Sequence, residues 1–186
     1  DYLFSRMEQN RQTNNNSQIT IFADPAFGKQ KDQLRSIALA PISQSRDWAN
    51  KLGRLPFTAE EAQNIKAALN KEQVIVYQGK QVTNSRLMSE SVRKSKVLHI
   101  ATHGFYDPAT PDVIGIATYA DKSSELDASG FLSLTQLLSK PFYADLVVIS
   151  GCETMLGKYY KGSGMRSFTR GFLSQGAGSV IGTLWK

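Results

Sequence analysis

The most informative stretch of this sequence is an apolar run that ends at a histidine and a glycine, Val97-Leu98-His99-Ile100-Ala101-Thr102-His103-Gly104. A second run of the same character, residues 146–151, ends immediately before Cys152, the only cysteine of the chain. Short apolar runs rich in branched residues are typical of buried strands in a parallel sheet. Parallel strands end at the same sheet edge, and ligands of open α/β sheets bind at that edge. We therefore predict that His103 and Cys152 meet there.

Strands and helices alternate along the rest of the chain. Thr58 and Glu61 suggest a capping box that opens one of the helices, and Gly162-Ser163-Gly164 is expected to open the last one. The patterns predict strands at 18–25, 73–77, 96–102 and 179–185, a hairpin arm at 113–119, and helices at 59–69, 84–94, 133–138 and 164–175. This alternation predicts a three-layer α/β domain with a mostly parallel central sheet flanked by helices.

Length and composition favour one compact domain. The chain has 186 residues, of which 41% are hydrophobic, enough for a sizeable core. Residues 1–16 are polar and are expected to be a tail or linker, which leaves residues 17–186 as the domain. The chain starts without methionine and stops just after an apolar strand, so we expect a piece of a longer protein whose C-terminal part is missing.

Charge and cysteine content exclude several classes of function. The net charge of +6 comes from 22 Lys and Arg against 16 Asp and Glu, and the basic residues are scattered, which argues against direct nucleic-acid binding. No apolar stretch or signal-peptide pattern predicts a membrane association. One cysteine cannot form an internal disulfide, which fits a reducing compartment, so we expect a cytoplasmic protein. With two histidines and one cysteine, we expect no zinc site and no cofactor.

The pairing of Cys152 with His103 predicts nucleophilic catalysis. A cysteine attacks carbonyl carbon as the thiolate, and a neighbouring imidazole helps to form it and protonates the leaving amine. The backbone N–H groups of Gly104 and Cys152 can stabilise the developing oxyanion, and such donors contribute about 3 kcal/mol each. Taken singly, each residue fits an inert role better, Cys152 as a buried apolar residue and His103 as a turn residue. Together, at matched strand ends, they favour a catalytic dyad.

Other candidate residues fit weaker hypotheses. His99 lies on the same strand as His103 and is expected to be a core or supporting histidine. Ser150 lacks the G-x-S-x-G elbow of serine hydrolases, which argues against that class. A carboxylate near the site can bind a basic substrate side chain. The candidates are Glu153 and Asp107, together with Asp112, Asp121, Glu125 and Asp127 of the long connection between the two strands.

The sequence resembles the CHAT domain, a caspase-like module often found in bacterial proteins behind tetratricopeptide repeats. The resemblance is carried by the two strand-end motifs, 98–104 and 148–154, and by the Gly162-Ser163-Gly164 that follows them. The similarity continues through 170–177 and 179–185 and spans roughly residues 17–186. Two positions depart from the usual pattern. Gly151 stands where alanine is commoner, and Ser163 replaces a frequent acidic residue. Relatives also continue past residue 186 into elements that help to form the substrate cleft.

The resemblance implies the caspase- and separase-like fold, endopeptidase activity and a catalytic dyad of His103 and Cys152. It also implies an oxyanion hole formed by Gly104 and Cys152, and a preference for a basic P1 residue. We therefore expect a cysteine endopeptidase acting on a protein or peptide. Its activity would be regulated by an attached tetratricopeptide-repeat domain or another partner, and a second processed chain is a further expected partner.

The main rival hypothesis is a catalytically silent scaffold, although both dyad residues are present. A nucleotide-binding domain would need a phosphate loop after the first strand, which residues 24–28 do not supply.

Overall fold

Ten strands and five helices make up the part of the chain that the computed structural model describes, residues 17–27, 52–69, 73–106, 114–151, 157–160 and 164–183. The strands are β1 Ile19–Pro25, β2 Val74–Gly79, β3 Val97–Ala101, β4 Gly104–Tyr106, β5 Ile114–Ala117, β6 Phe131–Ser133, β7 Leu146–Ser150, β8 Gly157–Tyr160, β9 Gly164–Ser167 and β10 Ser179–Gly182. The helices are α1 Pro56–Ala68, α2 Asn84–Leu87, α3 Glu90–Arg93, α4 Leu134–Leu137 and α5 Phe168–Ser174. None of these helices has the length and apolar character that a membrane span requires.

The central sheet contains five strands in the order β10-β7-β3-β1-β2, and every neighbouring pair is parallel. The strands β3 and β7 are the two apolar runs of the sequence, and they lie side by side with Ala101 opposite Ser150. The prediction of a parallel sheet is confirmed. It succeeds because strands covered on both faces need apolar side chains at consecutive positions.

Helices cover both faces of this sheet. On one face, Ala62 of α1 packs with Ile21 of β1 and Ala101 of β3. On the other face, α2 to α5 close a larger core, in which Phe172 of α5 makes edge-to-face contacts with Phe142 and Phe168, at centroid distances of 4.9 and 5.5 Å. The architecture is therefore an α/β fold with a sheet between two layers of helices, as predicted.

A smaller antiparallel sheet follows β3, with strand order β4-β5-β6. It contains the hairpin arm predicted at 113–119, of which Ile114–Ala117 forms β5. Phe105 and Ala117 of this sheet pack with Phe27 and Leu52 in a separate cluster. This cluster lies next to the end of β3 and so borders the region of His103.

Three helix predictions differ from the structure, two of them in the first half of the chain. The expected helix at 84–94 is broken into α2 and α3, because Ser89 adopts an extended conformation at the position before α3. The expected capping box at Thr58 is wrong, because α1 begins at Pro56, two residues earlier. The Thr58 hydroxyl instead donates to the Leu55 carbonyl at 2.7 Å and accepts from the Asp24 N–H at 2.9 Å.

The last predicted helix also begins later than expected. Gly164 opens strand β9, which pairs with β8, and helix α5 starts only at Phe168. The Ser167 side chain accepts from the Arg170 N–H and caps the helix. The glycine turn therefore does not open a helix at Gly164, and Gly162 and Ser163 lie outside the described residues.

Candidate active site

The site is built around His103, which follows β3 at the carboxyl edge of the central sheet. The last residue pair of β3 and β7 is Ala101 with Ser150, and the Thr102 N–H donates to the Ser150 carbonyl at 3.2 Å. His103 and Cys152 each stand two residues beyond this pair in sequence. Cys152 itself lies outside the described residues, as do Glu153 and Asp107, so their roles stay predictions.

One nitrogen of the His103 ring is held by a backbone carbonyl. Nε2 lies 2.9 Å from the Gly53 oxygen, and a carbonyl oxygen can only accept a hydrogen bond. This contact requires the proton on Nε2 when the ring is neutral, so that Nδ1 carries the free lone pair. The Phe27 ring packs against the imidazole with a centroid distance of 5.3 Å. The ring thus presents Nδ1 as its basic atom.

The surroundings of His103 keep the imidazole neutral at pH 7. Burial lowers the pKa of His103 below its ordinary value of 6.5, and the hydrogen bond to Gly53 offsets only part of this effect. Burial removes water that would stabilise the charged ring, whereas the carbonyl favours the protonated form. A neutral imidazole with one free nitrogen is able to act as a general base.

Gly104 begins β4 opposite Ile116 of β5. The Ala117 N–H donates to the His103 carbonyl at 2.8 Å, which makes the Gly104–Ile116 pair a non-hydrogen-bonded pair of the antiparallel ladder. The N–H of Gly104 therefore points away from β5, toward the outer edge of β4. This direction is compatible with the predicted oxyanion-hole role, which stays a prediction because Cys152 is outside the described residues.

The backbone just before Cys152 is held by a residue that the sequence patterns did not single out. The Gly151 N–H donates to the Thr183 hydroxyl oxygen at 3.1 Å, and the same hydroxyl donates to the Gly151 carbonyl. Thr183 directly follows β10, the neighbour of β7, so the contact joins the ends of two adjacent strands. The sequence patterns placed Thr183 inside the strand predicted at 179–185, whereas the structure ends that strand at Gly182.

Asp24 is a second residue that the patterns missed. It lies at the end of β1 and is only 2% exposed. Its carboxylate pairs with Arg54 and accepts from the Leu55 N–H at 3.2 Å. The hydrogen bond and the charge of Asp24 raise the pKa of Arg54, which therefore stays fully charged. A polar residue at a strand end was the available signal, but it did not reveal the partner.

Two of the three described acidic candidates of the long connection, Asp127 and Asp121, bind other groups. Asp127 is buried and accepts from the N–H and hydroxyl of Ser85, at 2.6 and 2.5 Å. Asp121 accepts from the N–H and hydroxyl of Ser123, and these hydrogen bonds lower the pKa of Asp121. Glu125 is exposed, and Asp112 lies outside the described residues.

His99 occupies the interior, as expected. It is 8% exposed, and its Nε2 lies 3.2 Å from Glu61 of α1. Burial lowers the pKa of His99, while the nearby carboxylate partly offsets that effect. His99 thus supports the packing of α1 on the sheet, whereas His103 faces the sheet edge.

Comparison with known proteins agrees with this architecture. No curated protein matches the chain. The family model for the CHAT domain matches residues 2–186, which is nearly the whole sequence. The chain therefore belongs to the CHAT domain family, a family of caspase-like cysteine peptidases and related modules.

Proposed function

We propose that this protein is a cysteine endopeptidase in which His103 activates Cys152. The observation that carries the proposal is the state of His103. Nε2 is bound to the Gly53 carbonyl, Nδ1 has no hydrogen bond within the part of the chain that the structure describes, and burial lowers the pKa of the ring. Such a histidine is able to take a proton at neutral pH. The equal offset of His103 and Cys152 from the last β3–β7 pair supports their proximity, because neighbouring strands lie about 4.8 Å apart.

The proposed reaction starts with proton transfer. Nδ1 of His103 takes the Cys152 thiol proton, and the thiolate attacks the carbonyl carbon of the scissile peptide. The Gly53 carbonyl stabilises the imidazolium by accepting from Nε2–H. The negative charge moves to the carbonyl oxygen, where the N–H groups of Gly104 and Cys152 are the proposed donors.

The imidazolium then returns its proton to the leaving amine. The peptide C–N bond breaks, the amine product leaves, and the acyl group remains on the sulfur as a thioester. A water molecule gives a proton to Nδ1 and attacks the thioester carbon. The C–S bond breaks and the acid product leaves. Nδ1 gives its proton to the sulfur, which restores the thiol.

The substrate preference and regulation are further parts of this proposal. We expect cleavage after a basic P1 residue, with Glu153 or Asp107 as the carboxylate that binds it. Of the described acidic side chains, Asp121 already accepts from Ser123 of its own loop, and Asp127 accepts from Ser85 of α2. Charge-assisted pairing between a carboxylate and Arg or Lys would provide the selectivity. A tetratricopeptide-repeat domain or another protein would regulate access.

The test is cleavage of a diverse peptide library by the longest natural form of the protein, read by mass spectrometry. Cys152→Ala and His103→Ala should both abolish cleavage. His99→Gln is the matched control, since it alters the other histidine of the sequence without removing the proposed base. Wild-type protein that cleaves nothing, even with its partner domains present, would support the scaffold alternative.

A further inference from the structure

Asp24 has an unusual backbone conformation at the end of β1. Its φ angle is 44°, and among the described residues it is the only non-glycine with a positive φ. The register between β1 and β2 shifts between Ala23 and Pro25, at this residue. Left-handed backbone is costly for most side chains and persists where surrounding contacts over-determine it.

The contacts of Asp24 are sufficient to hold this conformation. The carboxylate accepts from Arg54 Nε at 3.2 Å, from the second guanidinium donor Nη2, and from the Leu55 N–H. The Asp24 N–H donates to the Thr58 hydroxyl. Three of these four hydrogen bonds go to the carboxylate, and all four connect β1 to residues 54–58. The side chain of Asp24 therefore fastens that segment to the end of the sheet.

The residues on either side of these contacts touch the His103 ring. Gly53, which accepts from His103, directly precedes Arg54. Phe27, which packs against the imidazole, follows the turn at Pro25, whose carbonyl accepts from the Phe27 N–H at 3.0 Å. Asp24 thus joins the two segments that determine the orientation of the ring.

We propose that Asp24 is a positioning residue, whose carboxylate holds the Gly53 carbonyl in place through Arg54 and Leu55 and thereby fixes the His103 tautomer and ring orientation. This inference rests on the proposed function in one respect, namely that His103 is the general base. Charge matters in the arrangement because a guanidinium binds a carboxylate through two parallel hydrogen bonds, which a neutral amide cannot reproduce.

The test compares Asp24→Asn and Arg54→Gln with Glu90→Gln in the longest natural form of the protein. Glu90 pairs with Lys94 on an exposed part of α3, so its replacement removes a carboxylate without touching the site. Arg54 is 62% exposed at its side chain, so Arg54→Gln should fold even if Asp24→Asn does not. The first readout is the ring ¹⁵N spectrum of His103, assigned by the signals lost in His103→Gln.

In wild type, the ring nitrogens should report the Nε2–H tautomer alone. Asp24→Asn, and to a smaller extent Arg54→Gln, should give a mixture of tautomers and lower kcat by about 10- to 100-fold, with KM changed less than about twofold. Because Asp24 and Arg54 both act through Gly53, the double variant should lose no more of kcat than Asp24→Asn alone. Glu90→Gln should behave as wild type.

An unchanged tautomer in both variants would overturn the inference, whatever their activity. A loss of kcat with an unchanged His103 spectrum would likewise assign Asp24 a different role. If wild type cleaves no peptide, the spectra still decide whether Asp24 orients the ring, so the two proposals fail separately.

Discussion

Replacing Thr183 by valine should disorganise the backbone that leads into Cys152. Valine has nearly the same shape as threonine but has no hydroxyl. The variant therefore loses two hydrogen bonds with Gly151. In one, the Gly151 N–H donates to the Thr183 hydroxyl at 3.1 Å, and in the other, that hydroxyl donates to the Gly151 carbonyl. Gly151 directly precedes Cys152 in the sequence and follows β7, so its peptide planes determine the direction in which the chain leaves the strand.

The expected magnitude follows from those two hydrogen bonds. Each contributes about 0.5–1.5 kcal/mol net, so their joint loss should lower the free energy of unfolding by about 1–3 kcal/mol. The effect on catalysis should be larger than stability suggests, because a displacement of about 1 Å at a reacting group can reduce the rate by about 100-fold. We expect kcat/KM to fall by about 10- to 100-fold while the protein remains folded.

The assay combines urea unfolding with peptide cleavage, both at pH 7. Thr183→Ser is the matched control, since it keeps the hydroxyl and both hydrogen bonds and loses only a methyl group. Serine should retain activity within a few-fold of wild type. The reasoning is refuted if valine and serine have equal activity, or if valine lowers stability with no loss of kcat/KM.

Three further outcomes test other parts of the structure. Phe172→Ala should lower the free energy of unfolding by about 3–5 kcal/mol in urea titrations, since this fully buried ring packs edge-to-face on two others; a loss below about 1 kcal/mol would contradict this core. Because burial lowers the pKa of His103, the ring is neutral at pH 7, and kcat/KM should fall only as the pH drops below 6.5; an acid limb centred above pH 7 would be inconsistent with a buried base. Asp127→Asn should lower the free energy of unfolding, because the Asp127 carboxylate accepts two hydrogen bonds from Ser85. It should leave the P1 preference unchanged in library cleavage, and a lost basic preference would place Asp127 in the substrate pocket.

The parallel sheet could be predicted from local pattern because its central strands β1 and β3 are buried at consecutive positions. Residues 146–149 carry a similar apolar run, although alternate side chains of β7 are only half-buried. Both runs therefore stand out without knowledge of their neighbours. The position of His103 at the carboxyl edge follows from the same pattern. By contrast, the helix predicted at 84–94 is divided at Ser89, whose backbone is extended and whose hydroxyl donates to the Arg86 carbonyl.

The environment of His103 could not be predicted in the same way. A backbone carbonyl such as that of Gly53 carries no side-chain signal, and the contact joins residues 50 positions apart. Asp24 and Thr183 are ordinary polar residues in the sequence, and only the tertiary structure brings them close to Leu55 and Gly151. The sequence by itself therefore determined the type of fold and the sheet edge at which a site would lie, because apolar residue types indicate which segments are buried. Only the tertiary structure decided which nitrogen of His103 carries the proton and which carbonyl accepts from it, because these properties depend on backbone groups that every residue shares.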